Sequence, residues 1–187
     1  MQTLFIDKEI KYIGSQLAPH WIYKNFNIMG NAIVSFIGEC EVDLSHMVDI
    51  EDVVNNEPIY SKLMLSFIEE NFNSSLVEMV YKQRLLVTIT KELIERKKPS
   101  VKIIRSGDDL YIDDKKLSVS IATKSITSSL IHFGLNIEAD GAPVKAADLI
   151  KDAKITNIKE FALEIMKAYS EEVQDINNAA CKVRGVI

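Results

Sequence analysis

Between Val101 and Ile137 the chain reads as four strand-like runs in succession, "VKIIR", "DLYI", "KLSVSIAT" and "SSLIHFGLNI", rich in Val, Ile and Leu. Asp113 and Asp114 supply a turn between the second and third. A sheet of this kind must bury a face against something, and helical patterns stand on both sides to cover it. On the N-terminal side, Ser75 with Glu78 makes a capping-box pattern, followed by a stripe of Leu76, Met79, Val80, Leu86, Val87, Leu93 and Ile94. "RKKPS" ends that helix, because the residue before a proline avoids the helical region. On the C-terminal side, Asn157 and Glu160 can cap a last helix. Its stripe runs through Ile158, Phe161, Ala162, Ile165, Met166, Tyr169, Val173, Ile176 and Ala180. The fold class is α+β, a mainly antiparallel sheet flanked by helices.

The first 75 residues add further elements. "TLFID" and "EIKYIG" read as two short strands turning at Asp7 and Lys8. "NAIVSFIG" is a mostly apolar strand, and "ECEVDL" alternates cleanly, with Glu39, Glu41 and Asp43 opposite Cys40, Val42 and Leu44. Ser61 to Phe72, with Leu63, Met64, Leu65, Phe67, Ile68 and Phe72, is expected to be helical. No repeat or low-complexity segment interrupts the 187 residues, so a single domain spanning 1–187 is expected.

Bulk properties exclude some functions. A net charge of −5 argues against a broad nucleic-acid surface, which needs clustered Lys and Arg. Cys40 and Cys181 are far apart and form no CxxC, as in a reducing compartment. Charge appears by residue 7, so the start lacks the apolar core of a signal peptide, and no run is long enough for a membrane span. The expectation is a cytoplasmic protein.

Several clusters allow two readings. Asp43, His46, Asp49, Glu51 and Asp52 carry the donor atoms of a divalent-metal site, but they match no fixed ligand spacing, and the alternation of the preceding strand places its carboxylates on the wet face instead. His132 sits within an apolar strand, as a structural histidine would. His20, Trp21, Tyr23 and Phe26 form either a lid over a pocket or a loop anchored by its own aromatics. In "RSGDDLYIDDKKLSVSI", Asp113, Asp114 and Lys115 suit turn chemistry. Asp108 and Asp109 sit where one strand hands over to the next, and with Lys116 could face one pocket.

That segment resembles one in biotin protein ligases, of the form Lys-Trp-Pro-Asn-Asp-Leu-Tyr, a short turn, then a basic-Lys-Leu-small-Gly strand. Asp109, Leu110, Tyr111, Lys116 and Leu117 coincide with the pattern without gaps. Asp108 falls on the ligase Asn, Gly107 on its Pro and Arg105 on its Lys. "LIHFGLNI" is similar to the family's next strand, with Gly134 and Asn136 in place, and "MGNAIVSF" is similar to the lipoate ligase strand that begins with Gly-Asn. The resemblance covers most of the chain from about Gly30 onward. The whole chain also resembles an uncharacterised archaeal and bacterial family in the same superfamily.

The resemblance implies a biotin/lipoate protein ligase-like catalytic domain that binds a small carboxylic acid or its activated, acyl-adenylate-like form. An acceptor protein is a further implied partner. Lys116 would contact the carboxylate, with Asp108, Asp109, Arg105, Ser118, Ser128, Gly134 and Asn136 around the substrate. Gln16, His20 and Trp21 would sit on a lid between Gly14 and Met29. Related octanoyltransferases carry a nucleophilic cysteine where this chain has Ser128, a far poorer nucleophile without a base. The ligases hold nucleotide phosphate on an Arg/Gly-rich loop, but "GSQLAPHWIYKNFNIM" has Gly14 alone and no arginine. ATP and magnesium are therefore implied by family without the loop to hold them. The alternative is a non-catalytic ligand-binding or interaction protein that kept the fold and lost adenylation. A tRNA-linked role, suggested by the fold of class II synthetases, is opposed by the acidic charge.

Overall fold

The computed structural model describes residues 1–141 and 144–186. Five strands form the larger sheet: β1 (Gln2–Phe5), β2 (Ala32–Val42), β3 (Ile59–Asn71), and, later in the chain, β7 (Ser118–Lys124) and β8 (Ser129–Glu138). Their order is β1-β2-β3-β8-β7, antiparallel except for the parallel β1–β2 pair. A smaller antiparallel sheet holds β4 (Ile103–Ser106), β5 (Asp109–Ile112) and β6 (Lys115–Lys116). The helices are α1 (Trp21–Phe26), α2 (Ile50–Asn55), α3 (Leu76–Lys97) and α4 (Ile158–Cys181). Among the described residues no helix is long and apolar enough to cross a membrane.

The larger sheet is buried on both faces. Ile33, Leu65, Phe67, Ile131, Phe133 and Leu135 pack against the buried stripes of α3 and α4. Ala32, Val34, Phe36, Met64 and Ile68 face the other way, under Ile6, Tyr12 and Ile22 of the N-terminal segment. This explains the main departure from the sequence reading: Ser61–Phe72 is strand, not helix. A strand buried on both faces loses its period of two, and a continuous apolar run looks the same as a buried helix.

Other boundaries move for similar reasons. "EIKYIG" makes no hairpin with β1. It runs on along the same edge of β2, through Ile10 N to Ile37 O at 3.0 Å and Tyr12 N to Glu39 O at 2.8 Å. "NAIVSFIG" and "ECEVDL" are one strand, with the register shifting between Gly38 and Cys40. The capping box of α3 is present in full, Ser75 N donating to Glu78 Oε2 at 2.6 Å and Glu78 N to Ser75 Oγ at 3.2 Å. Leu76, however, is exposed, and Gln83 and Thr90 are buried among the apolar residues. Asn157 caps α4 as expected, but its stripe leaves the core after Val173, and Ile176 and Ala180 are exposed.

Gly38 faces the Ile10 backbone so closely that any added methyl would collide with the Ile10 carbonyl. Gly38→Ala should therefore push the N-terminal segment off β2 and cost about 1–3 kcal/mol. Urea unfolding measures this, and an unchanged midpoint would contradict the packing.

Candidate functional site

Alternation along β5 sends Leu110 and Ile112 into the core and leaves Asp109 and Tyr111 on the opposite face. Asp113 takes the turn with φ 55°, and β6 returns so that Lys116 pairs with Tyr111. Cross-strand partners share a face, so Lys116 joins Asp109 and Tyr111. Its Nζ lies 3.0 Å from Asp109 Oδ2, which also accepts a 3.4 Å hydrogen bond from the Tyr111 hydroxyl. Burial lowers the lysine's pKa, but Asp109, Tyr111 and Asp52 more than offset it, leaving the ammonium above its ordinary value and charged.

Asp108 has a different role. Its Oδ1 is 2.8 Å from Arg84, and its Oδ2 accepts from Gln83 at 2.7 Å and Ser120 at 2.8 Å. The turn before β5 is thereby tied to α3 and β7. Ser118 Oγ accepts from Leu110 N at 2.9 Å, a second tie between the hairpin and β7. The Asn136 amide donates to Ala147 O at 3.2 Å and Lys116 O at 3.4 Å, holding the lysine's strand to β8.

A cavity of about 350 Å³ opens beside this face. Lys116, Asp108, Asp109, Ser118, Ser120 and Asn136 contribute to one side, and Tyr12, Met64, Val119 and His132 to its interior. The β2–β3 connection covers it with His46, Met47, Asp49, Glu51, Asp52 and Glu57. Asp49 caps α2, accepting from Glu51 N at 2.8 Å. Burial, then Asp49, raises the pKa of the Asp52 carboxyl, while Lys116 pulls the other way. Among the described residues, Lys116 is the one lysine in the lining and no arginine joins it.

The remaining residues implied by the resemblance lie elsewhere. Arg105 bends back to donate to the Gly107 carbonyl. Ser128, buried at the β7–β8 turn, donates to Glu70 Oε1 at 2.7 Å. Gly134 lies beneath the cavity, where the Met64 sulfur occupies the space a side chain would need. Of the expected lid, Leu17 lines the cavity but Gln16, His20 and Trp21 do not. Gln16 is bonded to Lys11 O and Ile13 N. His20 donates its backbone N–H to Glu70, and Trp21 packs on Phe26 and Phe36. The cover is instead the β2–β3 connection, whose acidic residues sequence alone placed on a wet strand face. Asp43 stays exposed and bonds locally to Ser45 and His46.

The lining does not suit ATP. Gly14 abuts His46 and Val42 instead of opening to a phosphate, and the cavity sets six carboxylates against Lys116. Among the described residues no three His, Cys, Asp or Glu side chains converge as a metal site. The usual nucleophiles are also poorly placed. Burial, then Glu39, pushes the Cys40 thiol up to about 12, and Cys181 is exposed at the end of α4.

Comparison with solved structures defines the class: the fold is that of biotin and lipoate protein ligase catalytic domains. The biotin protein ligase of Aquifex aeolicus matches with a TM-score of 0.62 and 16% identity, over 95% of this chain and 71% of the ligase. A lipoate-protein ligase A bound with ATP matches with a TM-score of 0.56 and 11% identity, over 91% and 86% of the two chains. Identities this low speak for the fold alone. The chain itself belongs to the family described as Domain of unknown function (DUF366), which matches residues 1–184. An uncharacterised protein of Methanocaldococcus jannaschii is 36% identical over 181 residues, 94% of this chain and 81% of that protein. A solved protein of unknown function from Pyrococcus horikoshi is also 36% identical, with a TM-score of 0.92 over 100% of this chain and 99% of its own.

His132 gives the cavity a titration signature. Its ring stacks on Tyr12 at 3.7 Å, its Nε2 is 3.4 Å from Ser66 Oγ, and burial lowers its pKa from 6.5 to about 3. The unfolded chain therefore takes up a proton that the fold excludes. The resulting stabilisation is complete above pH 6.5 and is lost as pH falls towards 3, at up to about 1.4 kcal/mol per pH unit. Urea unfolding of His132→Phe should lack this component of the pH slope, and a slope equal to wild type would contradict a neutral buried imidazole.

Proposed function

We infer that the chain binds a small carboxylic acid, or an acyl compound derived from one, with Lys116 as the partner of its anionic group. The observation that carries this reading is the position of Lys116, a charged ammonium about one-third exposed, at the wall of a cavity and held by a single carboxylate. An incoming carboxylate can share that ammonium with Asp109. The cavity volume falls within the range of small-molecule pockets, roughly 300–1,000 Å³. Support by analogy comes from the Aquifex aeolicus ligase, solved in complex with biotin and with biotin and ATP.

The geometry favours binding over ligation. Among the described residues no arginine stands in the lining to hold a nucleotide phosphate, and Arg84 is already paired with Asp108. Ser128 lies outside the cavity lining, its hydroxyl donated to Glu70, so transfer through a covalent acyl-enzyme at that residue is not part of this reading. Asp109 orients the ammonium, and Asp108 and Asn136 position the strands that carry it. The free cysteines Cys40 and Cys181 suit a reducing, cytoplasmic setting.

Lys116→Ala tests this directly. Circular dichroism should be unchanged, while affinity for members of a carboxylic-acid panel, or for an acyl-adenylate analogue, should fall on the order of tenfold. Equal affinity in wild type and variant would remove Lys116 from the site.

A further inference from the structure

The part of the β2–β3 connection that covers the cavity has little to hold it there. None of residues 48–58 is buried, α2 included. Ile50 and Val54, one helical turn apart on α2, are 71% and 78% exposed, so these apolar side chains add nothing to the core. Among the described residues, the hydrogen bonds of the segment close within it: Glu51 N to Asp49 Oδ1, Val53 N to Asp49 O, Asn56 N to Val53 O and Glu57 N to Asp52 O. Among the same residues no ion pair joins it to the rest of the chain. Its two ends, by contrast, are fixed. Before it, Gly14 backs closely onto His46, and Met47 packs against the N-terminal core. After it, Ile59 pairs with Val42. A segment with few buried contacts between fixed ends opens at low cost in free energy.

What acts on it from the hairpin is charge. Residues 48–58 carry four carboxylates, Asp49, Glu51, Asp52 and Glu57, and no cationic side chain. All four line the cavity together with Lys116. Asp52 is half-buried, and the pull of Lys116 on its carboxylate outweighs the push of Asp109. Asp52 in turn helps to keep the lysine charged. The two are not in ion-pair contact, so this attraction is weak and screened by salt. A ligand carboxylate at the same ammonium reverses the balance. It adds a negative charge below the four already present and cancels the pull on Asp52.

We propose that residues 48–58 form a charge-held gate: Lys116 draws them over the cavity in the free protein, and a carboxylate bound at Lys116 releases them, opening the cavity while the ligand is held. The release rests on the function inferred above; the hold in the free protein does not. Lys116 then has two tasks, binding the anion and reporting its arrival to the cover.

Hydrogen–deuterium exchange of the full chain reads the gate, on peptides spanning residues 48–58 with α3 as internal reference. In the free protein at low salt, Lys116→Ala should speed exchange of this segment on the order of threefold. High salt should do the same to wild type, and Lys116→Arg, which keeps the charge, should match wild type. Hexanoate, shown by calorimetry to need Lys116 for binding, should speed exchange of the segment in wild type and leave Lys116→Ala unchanged. If the segment exchanges alike in wild type and Lys116→Ala, the gate is overturned whatever binds. If it loosens in Lys116→Ala, but hexanoate bound at Lys116 slows its exchange or leaves it unaltered, release is wrong and the carboxylate site stands. If it loosens in Lys116→Ala and hexanoate does not bind, release by a carboxylate falls together with the function inferred above, and the hold alone survives.

Discussion

The root of Lys116 is gripped from both sides, and the site depends on that grip. On one edge its strand pairs with β5 at Tyr111. On the other, Lys116 N donates to Lys145 O, and Lys116 O accepts from Ala147 N, each at 2.9 Å. Asn136 reaches across from β8 with its amide, and its own backbone N–H donates to Leu117 O at 3.0 Å. Buried backbone polar groups must find partners, so this four-way pairing leaves the segment little freedom. A flexible side chain thus begins from a fixed point, and Asp109 sets its other end. The same bonds join the small sheet to the large one, so the architecture and the placement of the charge share one set of contacts.

The two adjacent aspartates show how one sequence feature divides into two roles. Asp109 lies on the cavity face of β5 with Tyr111, and its charge holds an ammonium. Asp108, one residue earlier in the turn, has both oxygens committed to α3 and β7. Removing Asp108 would leave Arg84 and Gln83 without their partner and loosen the turn, an effect on the site that passes through structure. The fold is that of the ligases, and Lys116 stands at the wall of a cavity whose lining from the β2–β3 connection is acidic. A fold held in common does not carry a reaction with it.

Where the signal was local, the sequence was legible. Runs rich in Val, Ile and Leu with the Asp113–Asp114 turn mark β5 and β6, the Ser75–Glu78 box marks α3, and the spaced apolar residues mark most of α4. The larger errors concern contacts between distant segments. The β3 segment reads as a helix in sequence because both of its faces are covered, by elements up to a hundred residues away; the Tyr169 hydroxyl, for example, donates to Glu69 at 2.6 Å. The aromatics after Gly14 suggest a lid, but Trp21 packs on Phe36 and His20 on Phe72, and it is the β2–β3 connection that shares the cavity lining with Lys116. Asp52 stands out in the sequence only as one of a run of acids, since its place beside the cavity comes from facing a charge some sixty residues later. Gln83, spaced like a core residue of α3, is buried in order to hold Asp108.

The most direct test of the account is a crystal structure of the protein grown with a small carboxylate ligand. The account predicts a ligand carboxylate oxygen within hydrogen-bonding distance of Lys116 Nζ, beneath the β2–β3 connection, with Asp109 still in contact with the same ammonium. A ligand seated elsewhere, with Lys116 turned out to bulk water, would contradict it.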